Sequence, residues 1–379
     1  MSIKMIITGG GTGGHIYPGL NIAFELKKRD SANGILFIGT KRGMESKLVP
    51  KEGFEFKAIK ARGIQRKICL ENIWAILIFL VSCLQAYKIL RQFKPDLVIG
   101  TGGYVSGSVV LVASLMGITT FIHEQNVFPG ITNRMLANRV KAVFLSFEES
   151  RRYFKGNSKI IFTGNPIGDK KVFLGEKREE VLKKFGLHSK KKTILVFGGS
   201  KGAATINRAV IESIKLVKAE LLKNGWQVLM VSGNEDYYNC KKMAREIEME
   251  GILAIEKYIY DMKMIYSVVN LAICRAGATT IAELCAFGLP SILIPYPWAT
   301  HNHQEYNARI LEKEGAAIVL LDKDLTKDRL AEKIIVLIKD EKKLEAMSSR
   351  SRGLGKTDAN QVIVDLMLEY IPKNKLEKD

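Results

Sequence analysis

The chain has 379 residues, 47% hydrophobic and 26% charged, which is enough apolar material for a sizeable core and excludes a disordered chain. Its 58 Lys and Arg against 39 Asp and Glu give a net charge of +19, and residues 1–165 alone carry +13, from 23 basic and 10 acidic residues. Five scattered cysteines, Cys69, Cys83, Cys240, Cys274 and Cys285, form no C-x-x-C pair, which argues against a disulfide scaffold and a zinc site and suits a reducing cytosol.

The chain opens on a buried-type strand, Ile3–Thr8, and lacks the basic, apolar and small-residue series of a secretory leader. A helix over Ile16–Arg29 and a strand over Gly34–Gly39 follow. Residues 72–87, NIWAILIFLVSCLQAY, run 16 positions without a charge. A membrane-spanning helix needs about 20 residues. This segment therefore reads as a helix too apolar for an ordinary surface and too short to cross a bilayer. Strands follow at Asp96–Gly100, Thr119–His123 and Lys141–Ser146. The pattern then restarts, with strands at Thr193–Phe197, Gln227–Val231, Asn270–Cys274, Ser291–Ile294 and Ala317–Leu321 and amphipathic helices between them. Continuous apolar strands alternating with helices predict α/β architecture with parallel sheets covered on both faces.

The restart predicts two Rossmann-like, doubly wound domains facing across a cleft. Their boundaries are 1–165 and 166–354, with a hinge near Thr163–Pro166. Residues 355–379 hold a last helix, about Asp358–Tyr370, and a charged end expected to fray. Each half opens with a strand, a glycine-rich turn and a helix. Ligands of such folds bind at the carboxyl ends of the strands.

The first turn, GGGTGGH, fits G-x-G-x-x-G at Gly9, Gly11 and Gly14. Converging backbone amides and a helix N-terminus make an anion site. A nicotinamide site needs an acid about 20 residues on. The second strand ends instead in Lys41-Arg42, which excludes NAD and leaves NADP open. No Gly-Lys-Ser/Thr follows, which excludes a Walker loop. His15 stands at the start of the helix. The dipole there disfavours a cation, so a neutral imidazole can serve as a base; a capping or ligand-positioning role is the alternative.

The second turn, GGSKGA, adds the Ser200 hydroxyl. In CRAGATTIAEL a strand ends and a helix begins near Ala278, so Arg275 and that helix end can meet a diphosphate. Glu283 lies among apolar neighbours and suits the two hydroxyls of a ribose; pairing with a nearby cation is the alternative. His301 and His303 lack an obvious third metal ligand, so no metal is expected. The amides of Asn302, Gln304 and Asn307 suit sugar hydroxyls.

GGGTGGHIYPGL, GTGGYVSG, HEQN, GNP, GGSKGA, CRAGATTIAEL and NHQEYNA occur in the order and spacing of the MurG family, so the chain resembles those peptidoglycan N-acetylglucosaminyltransferases of GT-B architecture. The resemblance implies that UDP-N-acetylglucosamine binds the second domain at Ser200, Ile259, Ala278, Thr279, Thr280, Glu283 and Gln304. It implies that Thr12, Gly13, Gly14 and Asn126 also reach this donor. It places Gly11, His15, Gly102, Gly103 and Tyr104 on the side of the acceptor, lipid I, with no cofactor and no nucleic-acid partner. The sequence departs from the family two residues after GNP. There the family has an Arg and this chain has Gly168, with Lys170 or Lys171 as substitutes.

Lys57, Lys60, Arg62, Arg66 and Lys67 put five cations into eleven residues with no acid, directly before the apolar run. Cations beside an exposed apolar helix make an interfacial membrane patch. Ile73, Trp74, Leu77, Phe79 and Leu80, with Arg62, Arg66 and Lys67, are the expected contacts to an anionic leaflet, which would hold the chain peripherally on the cytoplasmic face of the cell membrane. A core helix beside a solvated basic loop is the alternative. An NADP oxidoreductase and a non-catalytic membrane-surface protein are the competing functions; neither explains both glycine turns and the Glu283 helix.

Overall fold

A computed structural model describes residues 2–63, 70–156, 159–168, 178–199, 202–249 and 251–371, and the side chains of residues 70–73 lie outside that description. The described chain divides into two compact units, one reaching Gly168 and resuming at Thr357, the other lying between them. The boundary thus falls three residues past the expected hinge segment's first-domain limit at 165.

The first unit runs β1 (Lys4–Gly9), α1 (Gly13–Arg29), β2 (Gly34–Thr40), α2 (Glu45–Lys51), β3 (Glu55–Ile59), α3 (Leu70–Phe93), β4 (Leu97–Gly102), α4 (Tyr104–Leu115), β5 (Thr119–Glu124), α5 (Ile131–Leu136), β6 (Ala142–Leu145) and β7 (Lys159–Phe162). Its seven strands form one parallel sheet in the order β3-β2-β1-β4-β5-β6-β7. The second unit runs α6 (Arg178–Lys183), β8 (Lys192–Phe197), α7 (Ala204–Lys223), β9 (Trp226–Val231), α8 (Tyr237–Glu246), β10 (Leu253–Glu256), α9 (Met262–Tyr266), β11 (Leu271–Cys274), α10 (Ala278–Phe287), β12 (Ser291–Leu293), α11 (His303–Lys313), β13 (Ala317–Val319), α12 (Lys327–Lys339) and α13 (Glu341–Leu354). Its sheet is also parallel, ordered β10-β9-β8-β11-β12-β13.

The central strands β1, β4, β5, β8, β9 and β11 are apolar and buried almost throughout, because helices cover both faces. Three strands were not expected: β3, β7 and β10. Each lies at a sheet edge and is only partly buried. An edge strand tolerates Glu, Lys and other polar residues, so it lacks the continuous apolar run that marks a central one.

Helix α3 is longer than its uncharged stretch. It has 24 residues, and Trp74–Phe93 is long and apolar enough to cross a membrane by length and composition, which corrects the reading that it is too short. One stripe, Ala75, Ser82, Ala86 and Leu90, is nevertheless buried, with Ala86 and Leu90 in the core beneath β1, β2 and β4. Ser82 and Ser108 share a buried hydroxyl bond of 2.6 Å with α4.

The last helix, α14 (Ala359–Leu368), belongs to the first unit and packs against α1. Ile363, Val364 and Met367 enter the same core as Met5, Ile7 and Phe121. Tyr370 meets Phe121 edge-on at 5.4 Å. Asn360 Nδ2 donates to the Ile167 carbonyl at 2.5 Å, and Asn21 Nδ2 to that of Pro166 at 3.0 Å, so α14 and α1 both hold the segment where the chain leaves the unit. Ile363→Ala is expected to lower the stability of the first unit by about 2–5 kcal/mol in denaturant unfolding, as for other buried large-to-small changes. An unchanged midpoint would show that α14 is not part of that core.

Candidate active site

In each sheet the strand order reverses beside the first strand of the unit, between β1 and β4 and between β8 and β11. Crevices for ligands open at such switch points. The turn after β1 therefore meets the turn after β4, and the turn after β8 meets that after β11.

The first turn is drawn tight around a buried carboxylate that sequence reading missed. Glu45, 1% exposed at the start of α2, accepts from Gly11 N at 3.1 Å through Oε2. Its Oε1 accepts from Thr40 N at 2.9 Å and Thr40 Oγ1 at 2.7 Å. A Cβ at Gly10, Gly39 or Gly43 would come within 2.4 Å of this side chain, so these glycines are required by the approach of Glu45. The Gly11 amide already has an anion, and a phosphate there would face a carboxylate. This corrects the reading of the whole turn as a phosphate or NADP cradle. The signal was present as a Glu two residues after Gly43, but burial of an acid is not readable from one sequence.

Gly102 and Gly103 press against the same turn. Gly10 N donates to Gly102 O at 3.3 Å. A Cβ on Gly103, at φ +84°, would lie 2.5 Å from Gly10 O, and one on Gly102, at φ +106°, would lie 2.7 Å from His15 Nδ1. The structure thus brings Gly11, Thr12, Gly13, Gly14, His15, Gly102 and Gly103 together. Tyr104, at the start of α4, is 67% exposed beside them.

His15 is half-buried in the first turn of α1, and its Nδ1 lies 3.0 Å from both Thr101 O and Gln125 Oε1. Both are acceptors, so Nδ1 carries the proton and the lone pair is on Nε2. An imidazole held this way can take a proton from a ligand hydroxyl. Asn126 follows Gln125 and is held by Glu124, whose Oε1 accepts from its backbone N–H at 2.9 Å while Oε2 accepts from Gly130 N at 3.1 Å and Asn133 Nδ2 at 2.8 Å.

In the second unit, α10 begins immediately after Gly277, with Ala278 buried and Thr279 and Thr280 half-exposed. Burial raises the Glu283 carboxyl to about 7, against the opposing pull of the Lys263 charge and a hydrogen bond from Tyr266. Glu283 therefore has both a cation and a hydroxyl near it. Arg275 is only 9% exposed: its Nη1 bonds Asp322 Oδ1 at 2.5 Å and the carbonyls of Ile294 and Pro295, and Nη2 bonds Thr205 Oγ1 at 3.0 Å. Its guanidinium is turned into the protein, which corrects its expected place on a diphosphate and makes it the tie between β11, β12 and the start of α7.

Gln304 Oε1 accepts from Ala276 N at 3.1 Å and Tyr296 N at 3.0 Å, so this residue can present only its amide N–H groups to a ligand. Asn307 is fully buried, with Nδ2 toward Ala276 O, and is not a sugar contact. Ile259 is buried between exposed Tyr258 and Tyr260 after β10. Among the described residues no three His, Cys, Asp or Glu side chains gather as metal ligands. Ser200, Lys170 and Lys171 lie outside the described residues.

On α3, Trp74, Leu77 and Leu80 are exposed, as are Ile76, Val81, Leu84 and Tyr87. Phe79 is half-buried, with its ring near Gly107 of α4, and is less exposed than its neighbours Trp74, Leu77 and Leu80. Gly107 also approaches Thr132, which brings the N-terminus of α5 near α3; Ile131 and Met135 of α5 are exposed apolar residues that were not expected. Lys60 is tied to this helix through its backbone N–H, which donates to Gln85 Oε1 at 2.8 Å, and Arg62 is exposed. Arg66, Lys67 and the Ile73 side chain lie outside the described residues.

The sequence matches the glycosyltransferase family 28 N-terminal domain over residues 5–145 and the C-terminal domain of that family over residues 193–363. It is 46% identical to the UDP-N-acetylglucosamine--N-acetylmuramyl-(pentapeptide) pyrophosphoryl-undecaprenol N-acetylglucosamine transferase of Acetivibrio thermocellus, over 98% of this chain and 99% of that one. The transferase of the same name from Halalkalibacterium halodurans is 43% identical over 97% and 99%. The crystal structure of Acinetobacter baumannii MurG superposes with a TM-score of 0.78 at 26% identity, over 97% of this chain and 99% of that chain. With two parallel Rossmann-like sheets and relatives of this likeness along nearly its full length, the chain has the GT-B fold and belongs to glycosyltransferase family 28, among its MurG-type N-acetylglucosamine transferases.

Proposed function

We propose that the chain transfers N-acetylglucosamine from UDP-N-acetylglucosamine to the 4-hydroxyl of the muramoyl sugar of lipid I, giving lipid II. Its likeness along 98% of its length to a transferase of that name carries this reading. The acceptor oxygen attacks the anomeric carbon from the face opposite UDP, the bond to the diphosphate oxygen breaks, and the linkage formed is β. His15 Nε2 takes the hydroxyl proton. Thr12, Gly13, Gly14 and Asn126 from the first unit, and Ser200, Ile259, Ala278, Thr279, Thr280, Glu283 and Gln304 from the second, hold the donor. Amides at the α10 N-terminus stabilise the leaving diphosphate.

Lipid I is held in a membrane, and the exposed apolar face of α3 with Lys60 and Arg62 beside it suits an anionic leaflet. The buried stripe of α3 favours lying in the interface over spanning, because a spanning helix would have to leave its own core. We therefore read the chain as peripheral, on the cytoplasmic side where a UDP-sugar is found.

Turnover of UDP-N-acetylglucosamine on a lipid I analogue in anionic vesicles tests both points. The product should carry a β-linkage. Trp74→Ser with Leu77→Ser and Leu80→Ser should release the chain from vesicles and leave UDP affinity intact. Absence of turnover on any muramoyl acceptor sinks the substrate; tight vesicle binding by the triple variant sinks the membrane face.

Glu283 gives a pH test. Its folded carboxyl is raised above the ordinary value, so it is largely protonated below about 7. Accepting two ribose hydroxyls needs the ionised form, so donor binding releases a proton and tightens as pH rises. UDP-N-acetylglucosamine affinity should improve about tenfold from pH 6 to pH 8 and then level off. Glu283→Gln should flatten that dependence. A flat profile in the wild type would remove Glu283 from the ribose.

A further inference from the structure

Behind His15 lies a line of buried side chains that the proposed reaction does not use. Gln125 is 1% exposed and His123 fully buried, at the end of β5. Gln125 Nε2 donates to Thr101 O at 2.8 Å and to His123 Nδ1 at 2.9 Å. This fixes the amide, since a flip would set its oxygen against the Thr101 carbonyl and the ring nitrogen. His123 Nδ1 is thus an acceptor, and its Nε2–H donates to Gly164 O at 3.2 Å. Burial pushes His123 down to about 4, so it stays neutral at any working pH. The polarity then runs one way: His123 fixes Gln125, and Gln125 turns its Oε1 toward His15 Nδ1 at 3.0 Å.

We propose that Gln125, backed by His123, is a positioning residue for the reaction: with Thr101 O it holds the His15 ring so that Nε2 faces the acceptor hydroxyl, and it accepts from Nδ1–H while the imidazole carries the transferred proton. The proposal rests on the reading of His15 as the base. The proton leaves the acceptor oxygen for Nε2 as the new C–O bond forms, UDP departs with the electron pair of the old bond, and His15 later returns the proton to water. Throughout, Nδ1 keeps its own proton and both its acceptors. A ring held by Thr101 O alone could rotate about that single bond.

The test is a double-mutant cycle with Gln125→Leu and His15→Ala, read as kcat, donor KM and acceptor KM on a lipid I analogue. Gln125→Leu should lower kcat about tenfold to a hundredfold, within the range of general-base catalysis, with donor KM unchanged. In the His15→Ala background it should cost nothing further. Equal losses in both backgrounds, or full kcat in Gln125→Leu, would overturn the positioning role while leaving His15 as base. Full kcat in His15→Ala would overturn both. Should Gln125→Leu not fold, Gln125→Met, similar in length and volume, serves the same cycle. Ring 15N shifts of His15 in the wild-type chain give a second readout: protonated Nδ1 with bare Nε2 is expected, and the opposite tautomer contradicts the proposal.

Discussion

The buried Glu45 carboxylate is the constraint on which the first half of the site depends. Three donors converge on its two oxygens, and three glycines exist where they do because a Cβ would strike it. A carboxyl group this deep is stable only when its hydrogen-bond capacity is met. One of these donors, Gly11 N, belongs to the glycine turn and would otherwise be free to meet a ligand phosphate. The turn after β1 is thereby tied to the end of β2. Gly102 and Gly103 can then close on it, and His15 is delivered to Thr101 and Gln125.

The second unit solves the same geometric problem with a cation. Its two turns are tied by Arg275, whose guanidinium joins Asp322, Thr205 and two carbonyls after β12. Gly202, at φ +75°, closes on Ser232 O and leaves no room for a Cβ. In the proposed reaction the first unit's turn carries the base, and the start of α10 in the second unit takes the diphosphate.

Much of this was legible in the sequence. Central strands announce themselves as continuous apolar runs, because burial on both faces excludes polar residues. The two glycine turns and the helix of Glu283 were readable from residue type and spacing. Edge strands β3, β7 and β10 were not, since half-exposure lets Lys and Glu in. The direction of a long side chain was also hidden. Arg275 and Asn307 have the chemistry of ligand contacts, yet both point into the protein. Phe79 has the chemistry of a membrane contact, but its helical position sets it between the buried stripe and the outer face. Glu45 and Gln125 act through partners 34 and 110 residues away in sequence, and no local pattern reports such pairings.

The most direct measurement of the central claim is hydrogen exchange, followed by mass spectrometry, in the full-length Glu45→Gln variant. A glutamine has one acceptor oxygen in place of two. It can serve Gly11 or Thr40 but not both, and its NH2 then faces the remaining donors. Loss of a charge-assisted bond of about 1.5–3 kcal/mol should speed exchange in residues 9–15 by tenfold or more. Residues 275–287 of the second unit should exchange as in the wild type. Unchanged exchange in residues 9–15 would show that the turn holds its shape without Glu45.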